Sequence, residues 1–473
     1  MDRLAAPSPA RAIAALICAG LGVGVASLIS AVFDTTSPVD AVGSSFIDRV
    51  PRWLESWAIA WFGTHDKTVL KVGIVLVVSL TACALGLASR RSARPVSAGI
   101  VVAGALGSIC VLERPMPASA AVTAIFIGTL VALTGAHVLW PNITATTAQV
   151  PGNSRAPVPR TQAQPPHPPP VVFRPTSPTP DVVDAGIDYI TPNASFYRID
   201  TALSFPTVDL DSWSIDITGL VRNDVQLTYR DLCKLEQVER TITMCCVSNE
   251  VGGPYVGNAV WQGVLLADVL NLAGVRPEAE QVYSTSLDGW TSGFPVEVAL
   301  DGRDALIALG MNGEILPLRH GFPARLIVPG LYGYVSATKW LASIELNRWS
   351  DARGYWIPRG WSRLGPVKTQ SRIDIPRRFD TLDPGPTRIA GVAWAQSTGI
   401  DKVEVRVDSE SWRLARLSTD VTDDAWRMWT LDWNATPGSH TIQVRATDKL
   451  GRTQTDTVAP VAPDGVTGWH TRR

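Results

Sequence analysis

Four apolar runs dominate the first 140 positions: 12–33, 68–88, 95–112 and 116–140. Each is long enough and poor enough in charge to form a helix across a bilayer, which takes about 20 apolar residues. The third is the shortest and is rich in Gly and Ala. Between the first two, residues 44–67 interleave Trp53, Trp57, Trp61 and Phe62 with Arg49, Arg52 and Glu55. Aromatics four apart among charges predict an amphipathic segment lying in the membrane interface. Because three more spans follow the first, residues 1–140 read as a four-helix membrane anchor in contact with lipid, not as a cleaved leader ahead of a soluble enzyme.

The pattern lapses after 140. Residues 141–185 are rich in Pro, Thr, Ala and Gln around Pro165-Pro166-His167-Pro168-Pro169-Pro170, a composition that favours extended polyproline geometry and reads as a stiff linker. His167 stands alone there and is not a metal ligand. Further on, short alternating runs at 389–394, 403–407, 426–433 and 440–447, with Thr436-Pro437-Gly438 as a turn, predict an immunoglobulin-like β-sandwich over 384–464.

Composition agrees with a membrane-tethered chain: 46% of residues are hydrophobic and only 18% charged. A net charge of −1 gives no electrostatic case for a nucleic-acid partner. Of the six cysteines, Cys18, Cys83 and Cys110 lie inside spans and Cys233, Cys245 and Cys246 lie beyond the linker. No C-x-x-C spacing suggests zinc, an iron-sulfur cluster or a disulfide framework, so the pattern supports one metal-binding thiol. The anchor offers only His65 and His137, without the paired histidines a haem needs. His65 and Asp66 would alternatively touch a quinone headgroup.

The chemically informative stretch is Cys246-Val247-Ser248-Asn249-Glu250-Val251. Residues 238–244 before it alternate and are rich in β-branched side chains, and Gly252, Gly253 and Pro254 follow it, so Cys246 sits in a polar turn at a strand end. On local sequence alone, a buried packing cysteine and a ligand are equally good readings.

Longer motifs change that balance. Thr191-Pro192-Asn193-Ala194-Ser195-Phe196-Tyr197 precedes the cysteine, and Val256-Gly257-Asn258-Ala259-Val260-Trp261-Gln262-Gly263-Val264 follows it. Then come Met311-Asn312-Gly313-Glu314, His320-Gly321-Phe322-Pro323-Ala324-Arg325, Val328-Pro329-Gly330 and Thr338-Lys339-Trp340-Leu341. In this order they resemble the molybdenum-cofactor domain of the sulfite oxidase family, across most of 186–462.

The resemblance implies a mixed α/β molybdopterin domain over 186–376, with the sandwich corresponding to a domain that commonly forms dimers or else packs on its own catalytic domain. It implies a molybdenum atom held by a pyranopterin dithiolene and the Cys246 thiolate, with Cys245 left to packing. Asn193, Phe196, Tyr197, Asp288, His320, Arg325, Thr338 and Lys339 would bind the cofactor, and Tyr355 would sit over the metal as a hydrogen-bond donor. The expected activity is two-electron oxygen-atom transfer on a small molecule, with electrons exchanged with a separate quinone or cytochrome carrier.

This chain departs from sulfite oxidases at two places. Where they carry an arginine and a histidine after the aromatic pair, it reads Arg198-Ile199-Asp200-Thr201. Where they carry Ala-Gly-Asn and two arginines after the cysteine, it reads Val247-Ser248-Asn249-Glu250-Val251. An oxyanion needs desolvated positive charge at the metal, so sulfite itself is not the expected substrate. A sulfoxide reductase, or an inactive membrane-tethered binding protein, are the alternatives. Arg90, Arg91 and Arg94 between spans two and three favour a cytoplasmic loop, which puts a catalytic region after four spans on the cytoplasmic side; a further span, as in related anchored enzymes, would reverse that.

Overall fold

The computed structural model describes residues 9–33, 35–51, 54, 57, 58, 61, 62, 66–89, 92–113, 119–145, 186–377 and 380–473. Most of the expected linker (146–185) lies outside these residues, as do His65, Arg90, Arg91 and His167. The chain divides into two compact units, 1–167 with 201–207, and 168–200 with 208–473.

The first unit is helical: α1 (Pro9–Val32), α2 (Pro38–Arg49), α3 (Asp66–Ala88), α4 (Arg94–Leu112) and α5 (Ser119–Ala145). Four helices are long and apolar enough to cross a membrane: Pro9–Val32, Lys67–Ala88, Arg94–Leu112 and Ser119–Trp140. The third apolar run thus forms a helix of spanning length. Small residues let α1 and α5 approach closely; a Cβ on Gly22 would come within 2.9 Å of the Ala132 methyl. Helix α2 starts at Ser37, whose hydroxyl accepts from the Asp40 N–H at 3.1 Å. Charges beside it are paired, Asp40 with Lys71 at 2.7 Å and Arg49 with Glu113 at 2.6 Å. In the expected interfacial segment, Trp57 packs on Trp61 and Phe62 with ring centroids 6.2 and 5.8 Å apart.

The second unit begins with ten strands: β1 (Ser214–Gly219), β2 (Val225–Thr228), β3 (Val238–Cys245), β4 (Val256–Leu265), β5 (Gln281–Ser286), β6 (Thr291–Pro295), β7 (Leu306–Met311), β8 (Glu314–Ile315), β9 (Arg325–Ile327) and β10 (Leu341–Asn347). One sheet runs β2-β1-β10-β5-β6, with β1 and β10 parallel. Alternation in β1 sends Ile215 and Ile217 into a core with Leu266, Leu270, Phe294, Ile344 and Leu346. The other sheet runs β3-β4-β7-β8, with β9 also paired to β7.

Alternation along β3 sorts its side chains between two partners. Ile242 and Met244 join a core with Phe196, Trp261 and Met311. On the opposite face, the Thr243 hydroxyl accepts from the Trp426 N–H at 2.7 Å, and Cys245 packs in a cluster with Tyr189, Val247, Trp394 and Trp426. Trp394 and Trp426 belong to a β-rich region that also contains β11 (Gln370–Ile375), β12 (Gly385–Trp394), β13 (Ile400–Val407), β14 (Arg413–Leu414), β15 (Arg416–Leu417), β16 (Arg427–Ala435), β17 (Ile442–Asp448) and β18 (His470–Arg472). Its two four-stranded sheets, β11-β12-β16-β15 and β14-β13-β17-β18, share a core of Ile373, Ile389, Val403, Val405, Trp429 and Val444. The mixed α/β region and this β-rich region therefore share buried surface within one unit.

Candidate cofactor site

Cys246 follows the last residue of β3 and is 8% exposed. Its N–H donates to the Tyr255 carbonyl at 2.9 Å, its carbonyl accepts from the Asn249 N–H at 3.0 Å, and its Sγ accepts from the Ser248 N–H at 3.4 Å. The Asn249 side-chain oxygen in turn accepts from the Tyr255 N–H at 2.7 Å. Burial pushes the Cys246 thiol up, while the Ser248 hydrogen bonds and the Lys339 charge pull it down. Cys245 is pushed well up, by burial and then by the neighbouring thiol. Adjacent cysteines thus occupy different surroundings.

The segment carrying Asn193, Phe196 and Tyr197 is knitted to two others, the turn 311–314 and the stretch at His320. Asn312 donates from its side-chain amide to the Thr191 carbonyl at 3.0 Å and to Asn193 Oδ1 at 2.8 Å. Asn193 donates to the Met311 carbonyl and to Glu314, each at 3.2 Å. His320 Nε2 lies 2.8 Å from the Asn193 carbonyl. A carbonyl only accepts, so Nε2 holds the proton and Nδ1 is left as an acceptor. Burial pulls the imidazole down to about 4, keeping it neutral. The Phe196 ring stacks on Tyr197 at 5.2 Å and meets His320 edge-on at 5.8 Å.

Two cations are buried beside this segment. Arg325, 4% exposed, donates to the His320 carbonyl at 3.0 Å and the Ala337 carbonyl at 3.5 Å, and lies 5.2 Å from the Trp261 ring. Desolvation lowers it to about 10. Lys339 donates to Asp200 at 2.8 Å, and desolvation lowers it to about 8 against the supporting charge of Asp200. Arg198 grips the same carboxylate through Nε at 2.8 Å and Nη2 at 3.1 Å.

The remaining expected residues lie in turns and loops beside the adjoining sheet. Thr338 is fully buried, its hydroxyl 2.7 Å from that of Ser284 and 2.9 Å from that of Ser292. Asp288 closes the β5–β6 turn by accepting from the Trp290 N–H at 3.0 Å; burial raises its carboxyl, and it also feels Asp200 and Lys339. Tyr355 donates its N–H to the Thr291 carbonyl at 3.0 Å, next to Ser292, and the Arg359 guanidinium lies 3.6 Å over its ring. On the same loop a cavity of about 320 Å³ opens between Trp349, Arg353, Ile357 and Arg363.

Sequence reading missed Asp200, Asn312, Ser284, Ser292 and Arg359. Asp200 had a signal, an acid where relatives differ, yet only three dimensions place it on Lys339. The residues fit a molybdopterin. Arg325 Nε and Asn249 Nδ2 are buried donors without a hydrogen-bond partner, which a ligand rich in acceptors would satisfy. Among the described residues no group of three His, Cys, Asp or Glu could hold a metal alone, so a metal on Cys246 would have to bring its other ligands with it.

Residues 202–356 match the model of the oxidoreductase molybdopterin binding domain. An uncharacterized oxidoreductase of Bacillus subtilis, YuiH, is 34% identical over 157 residues, covering 33% of this chain and 76% of that protein. Mitochondrial sulfite oxidase of Homo sapiens is 28% identical over 324 residues, covering 58% of this chain; the chain spans 59% of that protein's length. Sulfite oxidase of Arabidopsis thaliana is 28% identical over 344 residues, covering 60% of this chain and 85% of that protein. The sulfane dehydrogenase SoxCD of Paracoccus pantotrophus superposes with a TM-score of 0.53 at 25% identity, over 60% of this chain and 81% of that one. The chain belongs to the sulfite oxidase family of molybdopterin oxidoreductases.

Proposed function

We propose that this chain is a membrane-anchored oxidoreductase that moves an oxygen atom, with two electrons, to or from a small uncharged substrate rather than sulfite. The observation carrying the substrate reading is Asp200. Its carboxylate engages both Lys339 and Arg198, which weakens the positive charge that a substrate oxyanion would meet there. At the three positions where sulfite oxidases have those arginines, this chain has Ile199, an exposed Glu250 and Val251. Four apolar helices support the anchoring, and the arginines near Arg94 favour a cytoplasmic catalytic region.

When bound, the molybdopterin supplies the redox change and the oxygen-atom transfer. Cys246 would hold its metal after losing the thiol proton, a loss assisted by the Ser248 N–H and the Lys339 charge. Arg325 and Lys339 would hold its anionic groups, and neutral His320 would accept a hydrogen bond at Nδ1. Asn193, Phe196 and Tyr197 would form one wall, and Thr338 and Asp288 would brace the opposite loops. Tyr355 would offer its hydroxyl proton to substrate, with Arg359 fixing the ring. Electrons would pass to or from a separate carrier.

Metal analysis and pterin fluorescence of the detergent-purified protein, beside Cys246→Ala, test the class. About one molybdenum per chain in the parent and little in the variant is expected; equal loading of both would overturn the assignment. Dye-linked turnover with sulfite and with neutral sulfoxides, in both directions, tests the substrate reading. Fast sulfite oxidation would refute it, and reduction of sulfoxides would identify the reverse direction.

A further inference from the structure

We propose that His470, on the last strand of the β-rich region, is a positioning residue for the Cys246 loop, so that the geometry of the thiol is set from outside the molybdopterin-binding domain. The inference rests on the reading of Cys246 as the metal ligand. The loop between β3 and β4 turns through Gly252, at φ +74°, where L side chains are strained. A Cβ at that position would land on the His470 ring, meeting Nε2, Cδ2 and Cε1. Loop backbone and imidazole are therefore in close contact, with no room between them for a methyl group.

The ring is itself fixed. His470 is 5% exposed, and its Nδ1 accepts from the Ile373 N–H on β11 at 2.8 Å, while β18 is paired to β17 with His470 opposite Val444. Two further contacts hold the same loop. Arg372, on β11, donates to the Gly253 carbonyl at 3.2 Å and is kept in place by Asp374 at 2.7 Å. A Cβ on Gly468, just before β18, would sit 3.8 Å from the Val251 side chain. Within the loop, the bond from Tyr255 to Asn249 and that from Asn249 to Cys246 carry any displacement of Gly252 and Gly253 back to the thiol. With so few intervening atoms, a shift of the imidazole becomes a shift of Sγ.

The test uses the full-length, detergent-purified chain in two states. In protein from a host unable to make the cofactor, Cys246 alkylation by iodoacetamide is timed by peptide mass mapping for the parent, His470→Ala, Gly252→Ala, the double variant and Thr471→Ala on the exposed side of β18. His470→Ala should raise the Cys246 rate about tenfold or more, and Gly252→Ala should raise it by collision from the other side. The double variant should alkylate no faster than His470→Ala alone, because the methyl enters vacated space, and Thr471→Ala should match the parent. In loaded protein, His470→Ala should shift the molybdenum electron paramagnetic resonance signal at unchanged metal content. Parent-like rates in both single variants, or additive effects in the double, would overturn the proposal. If His470→Ala fails to fold, Gly252→Ala and its rescue by His470→Gln, read the same way, decide it. Retention of molybdenum by Cys246→Ala would sink the ligand reading and leave the alkylation result standing.

Discussion

Removing Asp200 should make the stability of the cofactor-free protein depend on pH in a way the parent's does not. Lys339 has an ordinary value of 10.5 and is lowered by burial to about 8, with Asp200 supplying the opposing charge. The side chains of Lys339 and Asp200 are only 10% and 7% exposed, so little water is present to take over. Folding depresses this base, so the unfolded chain binds the extra proton between about 8 and 10.5: parent stability rises with pH across that window and is flat below it. In Asp200→Ala the lysine falls further and sheds its proton. At pH 7 the folded parent gains about 1.4 kcal/mol by holding that proton, one pH unit below its midpoint, and the variant forfeits it. At pH 5 the forfeit grows to about 4 kcal/mol if the new midpoint lies below that. Arg198, less buried, adds roughly 1 kcal/mol for its lost hydrogen bonds. Thermal or denaturant unfolding at about pH 5.5, 7 and 8.5 measures the difference. A deficit that shrinks as pH rises fits; a deficit constant across the three, or below about 0.5 kcal/mol throughout, would refute the account of Lys339.

Tyr355→Phe should load molybdenum normally yet turn over about 10²-fold more slowly, as expected when one donor to the reacting group is lost; metal content and dye-linked kcat together check this. His320 at about 4 and His470 at about 3 are both depressed bases with an ordinary value of 6.5. Their neutral forms support the fold above about 6.5, and stability should fall progressively as pH drops below that; acid unfolding followed by tryptophan fluorescence measures it, and His470→Gln should flatten part of the slope. Trp429→Ala, deleting a fully buried side chain from the β-rich core, should cost about 3–5 kcal/mol in denaturant unfolding. A cost under about 1 kcal/mol would mean that core collapses around the gap.

The four long apolar helices, the β-rich region and the strand before Cys246 were legible because each is a local pattern: apolar length, period-two alternation, a glycine-ended run. Alternation also pointed Cys245 into packing, and it lies in the core shared with Trp394 and Trp426. Helix α2 was not anticipated, its signal being a Ser37 cap and Pro38, which lie ahead of the segment 44–67 that was read for its aromatics. The short strands β14, β15 and β18 escaped for a related reason, since two or three residues carry no period. What sequence could not give is who meets whom across distance. Lys339 and Asp200 are 139 positions apart, and Ser284 with Thr338 are 54 apart. Such pairs are fixed by sheet order, not by neighbours in the chain.

Arg325 has a consequence for handling the protein. It is buried and its hydrogen bonds go to carbonyls, which share no charge with it, while one of its nitrogens waits without an acceptor. A buried guanidinium so arranged would draw in small anions before its intended occupant arrives. Sulfate or phosphate carried through purification would compete with the cofactor for that guanidinium and slow loading. Reconstitution should therefore run fastest in chloride or zwitterionic buffer, and the choice of salt becomes a variable of assembly rather than of storage.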